Sequence, residues 1–149
     1  MKVSVIVTVL NEGAAIERLL ASLAGQSRPP DEVVVCDGGS TDGTPATLHA
    51  WAALGRLPMQ VLSEPGANIS AGRNAAIAAA TGEIIAVTDA GVRLEPDWLE
   101  ALVAPFEQQE KRFVAVVSGW FVAAPQTIFE TAMGATVLPH MREIQPKTF

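Results

Sequence analysis

The chain has 149 residues, enough for one domain with a substantial buried core. Hydrophobic residues make up 49% and charged residues 17%, which excludes a disordered chain. A formal charge of −6, with no dense Lys/Arg run, excludes non-specific nucleic-acid binding through phosphates, although a local arginine or a cation still allows a phosphorylated small molecule.

Val3–Leu10 is β-branched and nearly uninterrupted, as expected of a central strand buried on both faces. It breaks at Asn11-Glu12, so it reads as a first strand and not as an export signal. Ile16, Leu19, Leu20 and Leu23 recur at helical spacing, and the stripe fades near Gly25. A second strand, Val33–Cys36, runs into Asp37-Gly38-Gly39-Ser40-Thr41-Asp42-Gly43-Thr44. Thr44 is expected to cap the next helix, with Pro45 at its first position and Leu48, Trp51 and Ala52 facing inward. Cys36 is the single cysteine. It forbids an internal disulfide framework, fits a reducing, cytoplasmic compartment, and at the end of an apolar run is expected to be buried and inert.

Met59–Ser63 reads as a third strand, ending at Glu64-Pro65-Gly66. Ser70 is expected to cap a helix over Ala71–Ala80, stopped by Thr81-Gly82. Ile84–Thr88 is a fourth strand, ending at Asp89-Ala90-Gly91. A helix beginning near Pro96 presents Trp98, Leu99, Leu102 and Phe106, and Pro105 is expected to end or kink it. Phe113–Ser118 reads as a fifth strand and Ile128–Val137 as a helix. Val114–Ala124 falls short of the ~20 apolar residues that span a bilayer, so no membrane segment is expected in this chain. The tail after the last helix has no closing strand, which suggests a domain incomplete at its C-terminus. A sheet cut there leaves an unpaired edge, and self-association through that edge is the corresponding expectation.

Strands alternating with helices predict an α/β fold: a Rossmann-like, mainly parallel sheet flanked by helices, formed by residues 1–149 as one domain. In such a sheet the strand ends share one rim, where ligands bind. Four of these ends carry polar or acidic groups, and the Asp37–Thr44 loop is the strongest signal. Its glycines allow left-handed turns and close backbone approach, and Asp37 is placed to accept hydrogen bonds from a ribose or base. Asp42 serves equally well as a helix cap. The first turn, Asn11-Glu12-Gly13-Ala14-Ala15, lacks Gly-x-Gly-x-x-Gly and carries an acid that repels pyrophosphate, which disfavours NAD. No Gly-x-x-x-x-Gly-Lys-Ser/Thr occurs, which excludes a P-loop.

Val3–Glu12, the Asp37–Thr44 loop, Arg73-Asn74 and Asp89 together resemble family 2 glycosyltransferases in order and spacing, from Met1 to about Leu102. The resemblance implies a GT-A fold and an inverting transfer of sugar from a nucleoside diphosphate sugar to an acceptor hydroxyl. It also implies that Thr8, Asn11 and Glu12 line a nucleotide pocket, that Asp37 contacts base or ribose, and that Arg73 and Asn74 sit over the base or phosphates. The family pattern at the fourth strand is Asp-x-Asp, with a Mg²⁺ or Mn²⁺ on the last Asp. Here Asp89 matches the first carboxylate and Gly91 replaces the second, which weakens the metal expectation to Asp89 and the substrate phosphates.

Arg93 is a solvated loop arginine or a replacement for the missing positive charge. The family's catalytic base lies in an acceptor half expected beyond Phe149, so no catalytic residue is assigned within the chain. Glu95, Asp97 and Glu100 suit the first turns of a helix. Glu130, Glu143, His49 and His140 have no context that singles them out. Trp51 and Trp98 read as core anchors, and Trp120 remains a candidate on the acceptor side. Two alternatives stand beside the enzyme: a non-catalytic nucleotide or nucleotide-sugar module, and a nucleotidyltransferase, for which Asn11-Glu12-Gly13 lacks the basic Gly-rich loop. The inner face of a membrane is the other location compatible with a cytoplasmic protein.

Overall fold

The structure is a computed structural model that describes residues 1–107, 114–119, 122, 125, 127–129 and 131. The chain divides into two compact units, Met1–Ala115 and Val116–Phe149. The first unit contains, in chain order, β1 (Val3–Val9), α1 (Ala14–Ala24), β2 (Glu32–Asp37), α2 (Thr44–Leu54), β3 (Met59–Ser63), α3 (Ile69–Ala79), β4 (Ile84–Asp89) and α4 (Trp98–Glu107). In the second unit Ile128, Phe129 and Thr131 are helical. The helix expected at 128–137 is therefore described only at its start.

The four strands form one sheet in the order β3-β2-β1-β4, and every adjacent pair is parallel. The Rossmann-like expectation holds, and its cause is visible in the burial. Val3, Val5, Val7 and Val9 of β1 face α1, α2 and α4 through Ile16, Leu19, Leu20, Leu23, Leu48, Leu99 and Val103. Ile6, Val34 and Cys36 point to the other face, where α3 supplies Ala76. A strand buried on both sides needs apolar residues at consecutive positions, and β1 and β2 have them. The α3 layer stops short of β4. Ile85 and Val87, in register with Ser4 and Ile6, remain 37% and 45% exposed.

Three local expectations are corrected. The cap of α3 is Asn68, not Ser70: Asn68 keeps an extended backbone and its Oδ1 accepts the Ala71 amide at 2.9 Å, so the helix starts earlier. Gly43, not Thr44, precedes α2, because the Thr44 hydroxyl is drawn away to the first loop. The strand expected at 113–118 does not form over its described residues, which carry no regular structure from 114 to 119. Valines fix a strand only where a ladder partner exists, and among the described residues the sheet's edge on that side is β4. Pro105 lies inside α4, which is described as far as Glu107, so Pro105 does not end the helix at its own position.

Gln26 ties α4 to α1. Its amide nitrogen donates to the Ser22 and Glu95 carbonyls, and its oxygen accepts the Leu99 amide. This polar group is 6% exposed and fully engaged, as a buried amide must be.

Candidate functional site

The strand register brings the carboxyl ends onto one rim: Val9 opposite Asp37, Asp37 opposite Ser63, and Thr8 opposite Asp89. From β1 the chain adds β2 and β3 on one side, then returns to place β4 on the other. The crevice between β1 and β4 is thus the topological switch point, the place where open parallel sheets take ligands. A cleft of about 790 Å³ opens there. Thr8, Leu10 and Glu12 line it from the first strand and loop, Asn68 from the cap of α3, Ser70 and Arg73 from α3 itself, and Asp89 and Gly91 from the end of β4.

Behind the cleft two loops are pinned together. Asp37 Oδ1 accepts the Ser40 amide at 3.0 Å and the Ser40 hydroxyl at 2.6 Å. The same hydroxyl oxygen accepts the Asn11 amide at 2.8 Å, and Asn11 Oδ1 accepts the Thr41 amide at 2.8 Å. Asn11 has a φ of 55°, a left-handed conformation that Asn tolerates better than most residues. One turn further, Thr44 Oγ1 accepts the Glu12 and Gly13 amides, and Asp42 accepts those of Gly13 and Thr44. The Thr44 hydroxyl, then the Thr44 and Gly13 amides, hold the Asp42 carboxyl below its usual range. These contacts fix the path on which Glu12 enters the cleft.

The loop after β2 is also pressed against the turn after β3. Gly66 N–H donates to the Gly38 carbonyl at 2.9 Å and Glu64 N–H to that of Asp37 at 2.8 Å. A Cβ on Gly39, at φ 100°, would lie 3.1 Å from Pro65 Cα, so glycine is required there on two counts. On α3, Gly72 lets the helix sit down on the sheet: a Cβ there would be 3.2 Å from Thr8 Cγ2 and 3.4 Å from Cys36 Sγ. The Cys36 thiol is 1% exposed, and burial, followed by the charges of Glu64 and Asp37, raises its pKa. It is an inert wall residue.

Of the residues expected at the site, Thr8, Glu12, Arg73 and Asp89 line the cleft. Asn11, Asp37 and Asn74 do not. Asp37 is 6% exposed and engaged by Ser40, Asn11 locks Thr41, and Asn74 is exposed on α3 one residue past Arg73. Asn68 is a lining residue that the sequence reading passed over, and its signal was present. An Asn three residues before the Ala71 amide is as good a helix cap as the serine chosen.

Arg93 is exposed and lies outside the lining. Glu100 accepts the Ser27 hydroxyl, and Trp51 and Trp98 pack on the core. His49 is exposed on α2, while Trp120, Glu130, His140 and Glu143 lie outside the described residues.

Electrostatically, among the described residues, the lining holds two carboxylates, Glu12 and Asp89, and one cation, Arg73. Arg73 Nη2 meets Asp89 Oδ1 at 3.1 Å. Among the described residues no three His, Cys, Asp or Glu side chains gather as a metal site, and Gly91 offers no side-chain ligand. The free protein's donors therefore do not fit a resident divalent ion, which takes several oxygen ligands. What the cleft does offer is a set of hydroxyl, amide, carboxylate and guanidinium groups on rigid elements, the equipment for a polar phosphorylated ligand.

This fold and sequence have known counterparts. The chain is 30% identical over 103 residues to a validoxylamine A glucosyltransferase of Streptomyces hygroscopicus subsp. limoneus, covering 68% of this chain and 23% of that protein. S. aureus TarS 1–349 in complex with UDP-GlcNAc superposes with a TM-score of 0.64 at 32% identity, over 72% of this chain and 32% of that one. The mannosyltransferase PcManGT of Pyrobaculum calidifontis, in complex with GDP-Man and Mn²⁺, gives 0.62 at 38% identity, over 68% and 31%. This chain thus spans about a quarter to a third of the length of these relatives. The model of glycosyl transferase family 2 matches residues 4–136, and with the parallel sheet and its rim cleft in place the chain belongs to that family.

Proposed function

We propose that this chain is the donor-binding part of an inverting glycosyltransferase, which moves a sugar from a nucleoside diphosphate sugar to an acceptor hydroxyl. The observation that carries it is the cleft at the β1/β4 switch point, with Arg73 and Asp89 paired in its lining. The same fold holds UDP-GlcNAc in one neighbour and GDP-Man in another.

In this reading Thr8, Glu12 and Asp89 take the hydroxyl and amide groups of the nucleoside, and Arg73 reaches the diphosphate. Its one contact with Asp89 leaves most of the guanidinium fork for phosphate oxygens. Asp37 and Asn11 act from behind, by holding the loops that present those groups, and Asn74, exposed on α3 beside Arg73, is left for the outer part of the donor. The acceptor oxygen, deprotonated by a base, attacks the anomeric carbon on the side opposite the diphosphate, which departs with the bonding pair. These residues supply donor binding, and the base is supplied from the length of the family fold that this chain does not cover. Use of Mg²⁺ or Mn²⁺ is weak and nucleotide-dependent, resting on Asp89 and the donor's own phosphates. A cytoplasmic setting, free or at the inner membrane face, fits the lone buried cysteine.

The replacement of an acid by Gly91 favours a second reading, a module that binds a nucleotide sugar without turning it over. Thermal-shift titration with UDP-, GDP- and TDP-sugars, with and without Mn²⁺, tests the shared premise. A shift with one nucleotide class that vanishes in Asp89→Ala supports the cleft as donor site, and no shift with any of them overturns both readings. Transfer or hydrolysis of the bound donor then separates enzyme from module.

A further inference from the structure

We propose that the Arg73 guanidinium is the resident counter-ion of Asp89 and keeps divalent cations off that carboxylate in the free protein. The pair is a single contact, Nη2 to Oδ1 at 3.1 Å, and its side chains are 37% and 66% exposed. Water reaches both groups, so burial does not force the pairing, and the backbone positions bring it about. Asp89 ends β4 in register with Thr8, and Gly72 seats α3 within van der Waals distance of that same threonine. Arg73, next to Gly72 on the helix, is therefore held with its guanidinium within reach of that carboxylate.

Two effects of Arg73 on a cation have the same sign. Its positive charge repels a divalent ion at Asp89, and its N–H occupies one of the carboxylate oxygens that a hard ion needs as a ligand. Among the described residues Glu12 is the only other carboxylate in the lining, and Gly91 contributes no side chain. With glycine at position 91, a cation at Asp89 already lacks one side-chain ligand. The guanidinium adds a second, separable obstacle, which rests on geometry alone and stands apart from the donor-binding reading.

The experiment contains no nucleotide. Mn²⁺ is titrated into the full chain at low ionic strength, and the loss of the free-ion electron paramagnetic resonance signal reports binding. Arg73→Gln is expected to bind Mn²⁺ roughly tenfold more tightly than wild type, the scale of screened repulsion between a divalent and a single charge a few ångströms apart. Adding Asp89→Asn to Arg73→Gln is expected to remove that gain, and Arg73→Lys, which keeps the charge, to bind as weakly as wild type. Both positions are exposed, and circular dichroism melts of each variant check that the fold is retained. Equal affinity in wild type and Arg73→Gln overturns the proposal, as does a gain that survives Asp89→Asn or appears in Arg73→Lys. Failure of the donor to bind in the thermal-shift screen leaves this result where it stands.

Discussion

Asp37 is expected to be a stability residue whose effect on ligand binding is indirect, and replacing it separates those roles. In Asp37→Ala the Ser40 amide and hydroxyl lose their shared acceptor, at 3.0 and 2.6 Å, inside a site where Asp37 itself is 6% exposed. Hydrogen bonds to a charged acceptor contribute about 1.5–3 kcal/mol each. Because both converge on one oxygen and Ser40 is half-buried, the sum should be discounted to about 2–3 kcal/mol. For a chain of this size that corresponds to a drop in Tm of roughly 5–10 °C. Asp37→Asn keeps an oxygen acceptor without the charge and should lose about half as much.

Asp89→Ala removes only an exposed ion pair and should lie within about 0.5 kcal/mol of wild type. Urea and thermal unfolding of the three variants, followed by circular dichroism without ligand, give the comparison. If Asp37→Ala unfolds at the wild-type midpoint yet loses a nucleotide-induced shift, the carboxylate contacts the ligand directly and the assignment to the loop is wrong.

Other perturbations test neighbouring parts of the structure. A Cβ on Gly82 would sit 2.6 Å from both the amide nitrogen and the Oγ of Ser4, so Gly82→Ala should destabilise by about 2–4 kcal/mol, while Gly91→Ala, with open space around it, should be within about 0.5. Wild-type midpoints for Gly82→Ala in urea melts would mean the β4 entry is looser than described. The Glu32 pKa is lowered, first by the Ser4 hydroxyl and then by the Thr81 amide. A lowered acid stabilises above its unfolded value and loses that contribution as pH falls through its folded one. The advantage of wild type over Glu32→Gln should therefore be full at pH 7 and shrink below the ordinary glutamate value of 4.5, and a gap independent of pH refutes the linkage. Self-association through exposed apolar surface, Val87 on β4 among it, predicts a concentration-dependent mass in light scattering that Val87→Lys reduces; a strict monomer at all concentrations sinks the idea.

The fold was legible because β1 and β2 are buried on both faces through near-continuous apolar runs, Val5-Ile6-Val7 and Val33-Val34-Val35-Cys36, and such runs leave little freedom of register or face. The amphipathic stripe of α1 was equally plain, since Ile16, Leu19, Leu20 and Leu23 are the residues it buries. At helix starts the sequence was ambiguous. Asn68 and Ser70 are both good caps, and only the tertiary position of the chain decides which amide is within reach. Thr44 illustrates the same limit: the best local capping residue was taken by a loop more than thirty positions earlier.

The site divides along similar lines. The sequence located the rim, because a strand end is a local feature and the sheet aligns such ends automatically. It did not distinguish a carboxylate that faces the cleft from one that braces the wall. Asp37 and Asp89 each end a strand, and the register places them in neighbouring rungs, one opposite Val9 and the other opposite Thr8. One residue of offset on a pleated strand sends a side chain to the other face. Asp37 therefore turns in toward Ser40, while Asp89 turns out toward Arg73 and the cleft. Within the cleft the chemistry then depends on which cation meets that outward carboxylate, and the nearest one is part of the protein.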